Sequence, residues 1–187
     1  DSIVLGPGIG RAAETAEALA AVLATEKPLL IDADALRLTA GKKEEIKKVQ
    51  NLILTPHPGE MQVVLKGLGR EDLLTAEREE QAKTVAQELG AVVVLKGQGT
   101  LIAGPGGRIA INTSGNNALA SGGTGDVLSG LIGGFSAQGY SGWDAACLGV
   151  YVHGRAAEIA VGAKRSLIAD DLLNHIGEVF CELSPFE

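Results

Sequence analysis

The sequence has few cysteines, no long apolar run and no excess of positive charge, and each absence excludes a class of protein. Cys147 and Cys181 are far apart and form no CxxC pair, so neither a disulfide framework nor a zinc site is indicated. No stretch approaches the roughly 18 uninterrupted apolar residues that a membrane-spanning helix needs. We therefore expect a cytoplasmic protein with two free thiols and no membrane partner.

The charge balance argues against nucleic acid as a partner. Aspartate and glutamate number 23 against 16 lysines and arginines, which gives a formal net charge of −7. Such a chain offers no uniform positive field for a phosphate backbone. Small phosphate-containing ligands can still bind, because backbone N–H groups at helix starts hold anions without a basic surface.

Short apolar runs alternate with longer helical patterns, which predicts an α/β fold with a mostly parallel sheet covered by helices on both faces. At 187 residues and 45% hydrophobic content, one domain with one substantial core is expected. Strands are predicted at residues 3–5, 28–31, 52–54, 91–95, 100–103 and 108–111, the last two as an antiparallel pair. Helices are predicted at residues 11–25, 71–89, 126–138, 143–161 and 170–183, with a further helix starting at Pro58.

A glycine-rich segment is the candidate phosphate-binding site. The sequence contains no GxxxxGK[ST] motif, so a P-loop is excluded. Residues 116–126 read NNALASGGTGD and lead into an apolar helix, whose free N–H groups and dipole would attract a phosphate. Asp126 at the rim is suited to accept a proton from a hydroxyl that attacks this phosphate. The alternative is that Asp126 only balances the helix dipole.

Five segments in this order are similar to NAD(P)H-hydrate dehydratases of the ribokinase-like superfamily. They are GPGIG at residues 6–10, IDADAL at 31–36, LTPHPGEM at 54–61, LKGQGT at 95–100 and GGTGD at 122–126. The resemblance implies a ribokinase-like three-layer fold and an enzyme that uses ADP or ATP, with Mg²⁺, to dehydrate hydrated NADH or NADPH. It also implies further α/β structure ahead of residue 6, so we expect a domain over residues 1–187 that lacks its N-terminal part. We further expect a homo-oligomer.

The same resemblance assigns roles to individual residues. Asp126 is the expected catalytic base, and Gly8, His57 and Asp126 are expected to contact the hydrated dinucleotide. The expected nucleotide-binding residues are Lys96, Gly97, Gln98, Gly99, Thr100, Asn116, Gly122, Gly123, Thr124 and Gly125.

Several residues allow a second interpretation. The turn at residues 6–10 with Asp32 downstream resembles a Rossmann fingerprint, but its third glycine is one position early. His57 could be a structural histidine. No metal-ligand motif is visible, and we predict a supporting role for Asp32 near the nucleotide or Mg²⁺, with helix capping by Asp34 as the alternative.

Other charged and imidazole side chains carry no predicted role. Lys66 and residues 78–83 are interpreted as a solvated face, His153 as a residue in or beside the core, and His175 as exposed. Two alternative functions share the phosphate site. One is a ribokinase-like small-molecule kinase that stops after phosphorylation, and the other is a non-catalytic nucleotide sensor.

Overall fold

Six short strands form one mixed sheet in a computed structural model that describes residues 1–10, 12, 14–162 and 167–184. The spatial order follows the chain, and the first four strands are parallel while the last two are antiparallel to their neighbours. The strands are β1 (Ile3–Leu5), β2 (Leu29–Ile31), β3 (Leu52–Leu54), β4 (Val92–Leu95), β5 (Leu101–Ala103) and β6 (Ile109–Ile111). The predicted mostly parallel sheet and its closing antiparallel hairpin are both confirmed.

Helices cover both faces of this sheet and give three layers. One face carries α1 (Glu14–Leu23), α2 (Ala33–Leu36), α3 (Lys43–Ile46), α4 (Pro58–Gly67) and α5 (Arg78–Leu89). The other carries α6 (Thr124–Ala137), α7 (Gly142–Val161) and α8 (Ala169–Leu183). Short 3₁₀ turns lie at Thr39–Lys42, Glu71–Leu73 and Asn117–Ala120. Among the described helices, none combines the length and the apolar character needed to cross a membrane.

The central strands are apolar throughout because both of their faces are buried. In β2, Leu29 and Ile31 belong to the core beneath α1–α5, whereas Leu30 belongs to the core beneath α6–α8. In β3, Leu52 and Leu54 likewise belong to the core beneath α1–α5, and Ile53 belongs to the core beneath α6–α8. Side chains along each strand point alternately to the two faces of the sheet, so both sets are buried in one of two cores. This explains why the sequence shows continuous apolar runs here.

The predicted helix over residues 71–89 is wrong in its first third. Glu71–Leu73 form a 3₁₀ turn, Glu77 is the N-cap with non-helical backbone angles, and α5 begins only at Arg78. The buried Gln81 side chain donates to the carbonyl oxygens of Leu73 at 2.8 Å and Leu74 at 3.4 Å, which satisfies groups that the interrupted helix leaves free. No glycine or proline marks this break, so the sequence pattern contained no signal for it.

Candidate active site at the carboxyl ends of the strands

A glycine and three polar residues follow the four neighbouring parallel strands at the edge where their carboxyl ends meet. Gly6 follows β1, Asp32 follows β2, Thr55 follows β3 and Lys96 follows β4. The first turns of α6 lie at the same edge, where the hydroxyl of Ser129 of α6 donates to Asp32. Ligands of open α/β sheets bind outside this end of the strands. This edge is therefore the candidate active site.

A cavity of about 740 Å³ lies between the β4–β5 connection, the segment after β6 and the helices α6 and α7. Its volume falls in the range of sites that hold small molecules and cofactors. Eight of the ten predicted nucleotide-binding residues line it: Lys96, Gly97, Gln98, Gly99, Thr100, Asn116, Thr124 and Gly125. Gly122 and Gly123 do not line the cavity, and both are exposed in the turn that precedes α6.

The start of α6 has the backbone geometry of an anion site. Gly123 is its N-cap, with a left-handed φ of +84° that side chains disfavour, and Thr124 and Gly125 are the first helical residues. The first amides of a helix have no partner inside the helix and carry the positive end of its dipole. The Thr124 hydroxyl donates to the carbonyls of Leu119 and Ser121, both at 2.8 Å. Thr124 therefore offers a ligand its backbone N–H while its side chain closes the turn.

Asp126 is the third residue of α6 and is exposed. Within the described part of the chain, no hydrogen bond or ion pair engages its carboxylate. It does not line the 740 Å³ cavity but borders a second, apolar cavity of about 470 Å³ between α6 and α8. Asp126 thus stands beside the glycine turn, with its oxygens available to a proton donor that approaches from outside the nucleotide cavity.

Asp32 and Lys96 form a nearly buried ion pair at the base of this site. The Lys96 ammonium lies 2.8 Å from Oδ1 of Asp32, and the hydroxyl of Ser129 donates to Oδ2 at 2.7 Å. The Asp32 side chain is 2% exposed and that of Lys96 is 20% exposed. Glu60 provides a second, more distant carboxylate at 3.5 Å from the ammonium. Asp32 therefore contacts Lys96, which is one of the predicted nucleotide-binding residues. The sequence had predicted a supporting role near the nucleotide or Mg²⁺ but not this partner.

His57 is the N-cap of α4. Its Nδ1 accepts hydrogen bonds from the backbone N–H groups of Gly59 at 3.0 Å and Glu60 at 3.3 Å, and Pro58 occupies the first helical position as predicted. The side chain of His57 is 55% exposed, so it is not a core residue. Gly8 is also exposed, and no atom of the described residues lies within 4 Å of the position of its Cβ. Neither residue lines the 740 Å³ cavity.

Arg78 supports the wall of the cavity, and its assignment to a solvated face is wrong. Its guanidinium donates to the carbonyl oxygens of Gln98 at 2.9 Å, Leu95 at 3.2 Å and Lys96 at 3.5 Å. A cation at the first position of a helix opposes the helix dipole, which is unfavourable by itself. The sequence pattern predicted a helix that already begins at Glu71, so it contained no signal for this role of Arg78.

Two predicted nucleotide-binding side chains are already engaged within the protein. The Asn116 amide donates to Ala157 O at 3.1 Å, and its oxygen accepts from the Ala118 N–H at 3.0 Å. The Thr100 hydroxyl donates to Gly97 O at 3.0 Å. These hydrogen bonds fix both side chains in the wall of the cavity.

His153 is buried as predicted, and it also lines the cavity. Burial lowers the pKa of its imidazole, and the positive charge of Lys96 lowers this pKa further. The ring is therefore neutral at neutral pH, and its Nε2, 2.8 Å from Thr124 O, carries the proton. His175 is half-buried rather than exposed, with Nδ1 2.9 Å from Glu178.

The family of the chain follows from its comparison with known proteins. The model of a family described as NAD(P)H-hydrate dehydratase matches residues 1–178. This chain belongs to the NAD(P)H-hydrate dehydratase family. A bifunctional NAD(P)H-hydrate repair enzyme from Escherichia coli is 40% identical over 181 residues, which cover 96% of this chain and 34% of that protein.

Solved structures place this member of the dehydratase family in the expected fold. An ADP/ATP-dependent NAD(P)H-hydrate dehydratase from Bacillus subtilis, crystallised with ATP and Mg²⁺, matches with a TM-score of 0.81 at 33% identity, over 98% of this chain and 65% of that one. A ribokinase-like superfamily protein from Enterococcus faecalis V583 matches with a TM-score of 0.81 at 27% identity, over 97% and 63%. The chain thus spans about a third of the Escherichia coli relative and about two thirds of these two structures.

The topology also argues against the Rossmann interpretation of residues 6–10 in this dehydratase-family chain. In a Rossmann sheet the strand order reverses, and the dinucleotide binds in the crevice at that reversal. Here β1 to β4 follow one another in a single direction, so within the described strands there is no such crevice beside β1. Gly6 instead packs its backbone against the carbonyl of Asp32.

Proposed function

We propose that this chain carries the nucleotide-dependent dehydration of hydrated NADH and NADPH. The observation that supports it most directly is the glycine turn at the start of α6, which lies beside a cavity lined by eight predicted nucleotide-binding residues and carries an exposed carboxylate at Asp126. The family membership of the chain supports the same reaction. The substrates are the hydrated cofactor and ADP or ATP.

The chemistry requires a proton acceptor and a site that stabilises phosphate charge. Asp126 takes the proton of the ring hydroxyl, whose oxygen then bonds to the terminal phosphorus while the bond to the shortened nucleotide breaks. The amides at the start of α6 stabilise the charge on the transferred group. Electrons from the ring nitrogen then expel phosphate, and loss of a proton from the adjacent ring carbon restores NADH or NADPH.

Mg²⁺ is expected to accompany the nucleotide. The described residues contain no group of three or more histidine, cysteine, aspartate or glutamate side chains that could hold a metal ion. This fits a cation that keeps water ligands and binds mainly through phosphate oxygens, because Mg²⁺ seldom uses a cage made only of protein groups.

Turnover distinguishes this function from its two alternatives. The complete protein should regenerate NADH absorbance from hydrated NADH when ADP or ATP is present, and release one phosphate for each NADH formed. A small-molecule kinase would consume ATP without restoring NADH. A nucleotide sensor would bind ADP or ATP without consuming either, so an absence of turnover together with binding would overturn the proposed reaction.

Localisation and assembly are also part of this proposal. Cys147 and Cys181 are both free thiols, which suits the reducing cytoplasm. Homo-oligomerisation stays a prediction that light scattering coupled to size-exclusion chromatography can test.

Replacing His57 with alanine should raise the KM for the hydrate more than the KM for ADP or ATP. The side chain is exposed and lies outside the nucleotide cavity, so removal of the imidazole should weaken the binding of chiefly one substrate. Stability should fall by about 1 kcal/mol, since the variant also removes the N-cap of α4. Steady-state kinetics and urea unfolding measure the two effects.

The matched control is His57→Asn, which keeps a capping side chain but removes the imidazole. Its stability should return close to that of the native chain while the KM for the hydrate stays raised. If His57→Asn instead restores the KM together with stability, His57 acts only as a cap.

Replacing Arg78 with methionine should raise the KM for the nucleotide by about tenfold with little change in the KM for the hydrate. The variant removes three hydrogen bonds that hold the carbonyl groups of residues 95, 96 and 98 on the cavity wall. Lys83→Met is the control, because Lys83 pairs with Glu79 on the solvated side of the same helix. Equal nucleotide KM values for the two variants would rule out this supporting role.

A further inference from the structure

Asp32 connects three separate elements of the candidate site with one buried carboxylate. It follows β2, its Oδ1 binds the ammonium of Lys96 after β4, and its Oδ2 accepts from Ser129 of α6. These partners lie 64 and 97 positions away in the chain. Ser129 lies one helical turn beyond Asp126, so the carboxylate also links the sheet to the helix that carries the proposed base.

The energetics of burial require such partners. An ionised carboxylate that is removed from water is strongly unfavourable unless it is paired and hydrogen-bonded. Asp32 meets this requirement with one strong contact at each oxygen, at 2.8 and 2.7 Å. A well-packed apolar residue could hold β2 and α6 together at lower cost, so stability alone does not explain a buried charge at this place.

Lys96 is the partner whose location has a functional consequence. Its ammonium lies 3.9 Å from the position that a Cβ on Gly125 would occupy, so it reaches the first turn of α6. The backbone N–H of Lys96 donates to Pro56 O at 2.8 Å, which fixes the main chain at this residue. The position of the ammonium therefore depends on the conformation of the long side chain. Asp32 directs it toward the glycine turn, while Glu60, at 3.5 Å, lies on the side of α4.

We propose that Asp32 is a positioning residue, which holds the Lys96 ammonium beneath the first turn of α6 so that this charge meets the phosphate of a bound nucleotide. Ser129 fixes the second carboxylate oxygen and keeps α6 in register with the lysine. This inference rests on the proposed function for its effect on repair, but its effect on nucleotide binding can be measured without turnover.

The first variant is Asp32→Asn, which keeps the shape of the side chain and removes its charge. Glu60 is then the remaining carboxylate partner of Lys96, and the ammonium moves toward α4. We expect the affinity for ADP to fall by about tenfold and kcat for repair to fall at least as much. Isothermal titration calorimetry with ADP and the recovery of NADH absorbance measure the two quantities.

The decisive measurement is a double-mutant cycle with Lys96→Met. If Asp32 acts through Lys96, Asp32→Asn should change the ADP affinity by less than about twofold in the Lys96→Met background. The double variant should also be more stable than Lys96→Met alone, because it no longer buries an unpaired carboxylate. A tenfold reduction of ADP affinity in both backgrounds would overturn the proposal.

Thr39→Val is the control for a purely structural role. Thr39 is fully buried near α2, and its hydroxyl donates to Leu36 O at 2.7 Å, so the variant removes a buried hydrogen bond without touching Lys96. It should lower stability by about 1 kcal/mol and leave ADP affinity unchanged. A reduction of ADP affinity in Thr39→Val equal to that in Asp32→Asn would contradict positioning.

Failure of the reaction and failure of this inference give different results. A complete native protein that binds ADP but repairs no hydrate would overturn the proposed function, and the ADP cycle would still decide the role of Asp32. A native chain that repairs hydrate, with additive effects of Asp32→Asn and Lys96→Met, would support the function and overturn the positioning role.

Discussion

Replacing Asp126 with asparagine should lower the rate of hydrate repair by about a thousandfold or more while ADP binding stays within about threefold of the native value. The variant keeps the shape of the first turn of α6 and removes only the group that accepts a proton. Asp126 lies outside the nucleotide cavity, and its carboxylate has no partner within the described residues, so few other interactions change. Single-turnover repair assays and calorimetry with ADP separate the chemical step from binding.

The matched control is Asp144→Asn, which removes an acidic residue from the first turn of α7. Both variants weaken the favourable interaction of a carboxylate with a helix dipole, by about 0.5 kcal/mol, and Asp144→Asn also changes the acceptor of a 2.6 Å hydrogen bond from the Ser141 hydroxyl. Only Asp126→Asn should stop repair. Repair within a few fold of the native rate would mean that Asp126 balances the dipole and that the base lies elsewhere.

The layer structure was predictable because each central strand is buried on both faces. The runs at β2, β3 and β4 are continuous and apolar, and this pattern is typical of a sheet covered on both sides. The break before Arg78 was not predictable in this way. At this break the Gln81 side chain donates to the carbonyl groups of Leu73 and Leu74. The helix propensity of residues 71–89 does not reflect such a contact, so the sequence predicted a continuous helix.

The glycine turn that we propose as the phosphate site was recognisable in the sequence because its features are local. Glycines followed by an apolar helix mark the start of α6, and the resemblance placed Lys96 and Thr100 on the same cavity. The hydrogen bonds of the Asn116 and Thr100 side chains could not be predicted from the sequence. Their partners are backbone carbonyl groups, and the direction of these groups is defined only in the folded chain. The contact between Asp32 and Ser129 joins residues 97 positions apart, so a local sequence pattern could not predict it.

Replacing Gly6 with alanine should produce the largest decrease in stability among these variants, about 3 kcal/mol or more. Gly6 is buried after β1 with φ at +134°, a conformation that side chains rarely adopt. A Cβ would lie 1.8 Å from the carbonyl oxygen of Asp32 and 2.7 Å from its carbon. These are backbone atoms, so a change of rotamer cannot relieve the overlap, and the ends of β1 and β2 must separate.

Gly10→Ala provides the comparison within the same turn. Gly10 also has a positive φ, +78°, but among the residues that the structure describes no atom lies within 4 Å of the position of its Cβ. The variant therefore isolates the conformational cost, about 1 kcal/mol, from the steric one. Urea unfolding followed by the fluorescence of Trp143, the single tryptophan of the chain, gives both free energies.

The same pair of variants tests why the turn after β1 is rich in glycine. A Rossmann turn needs its glycines so that backbone can approach a pyrophosphate, and substitution there would weaken dinucleotide binding first. At Gly6 the close neighbour is the backbone of Asp32, so substitution should destabilise the fold and, by moving Asp32, also displace Lys96 from the turn of α6. Gly6→Ala with native stability and a selective weakening of dinucleotide binding would contradict this packing role and restore the Rossmann interpretation.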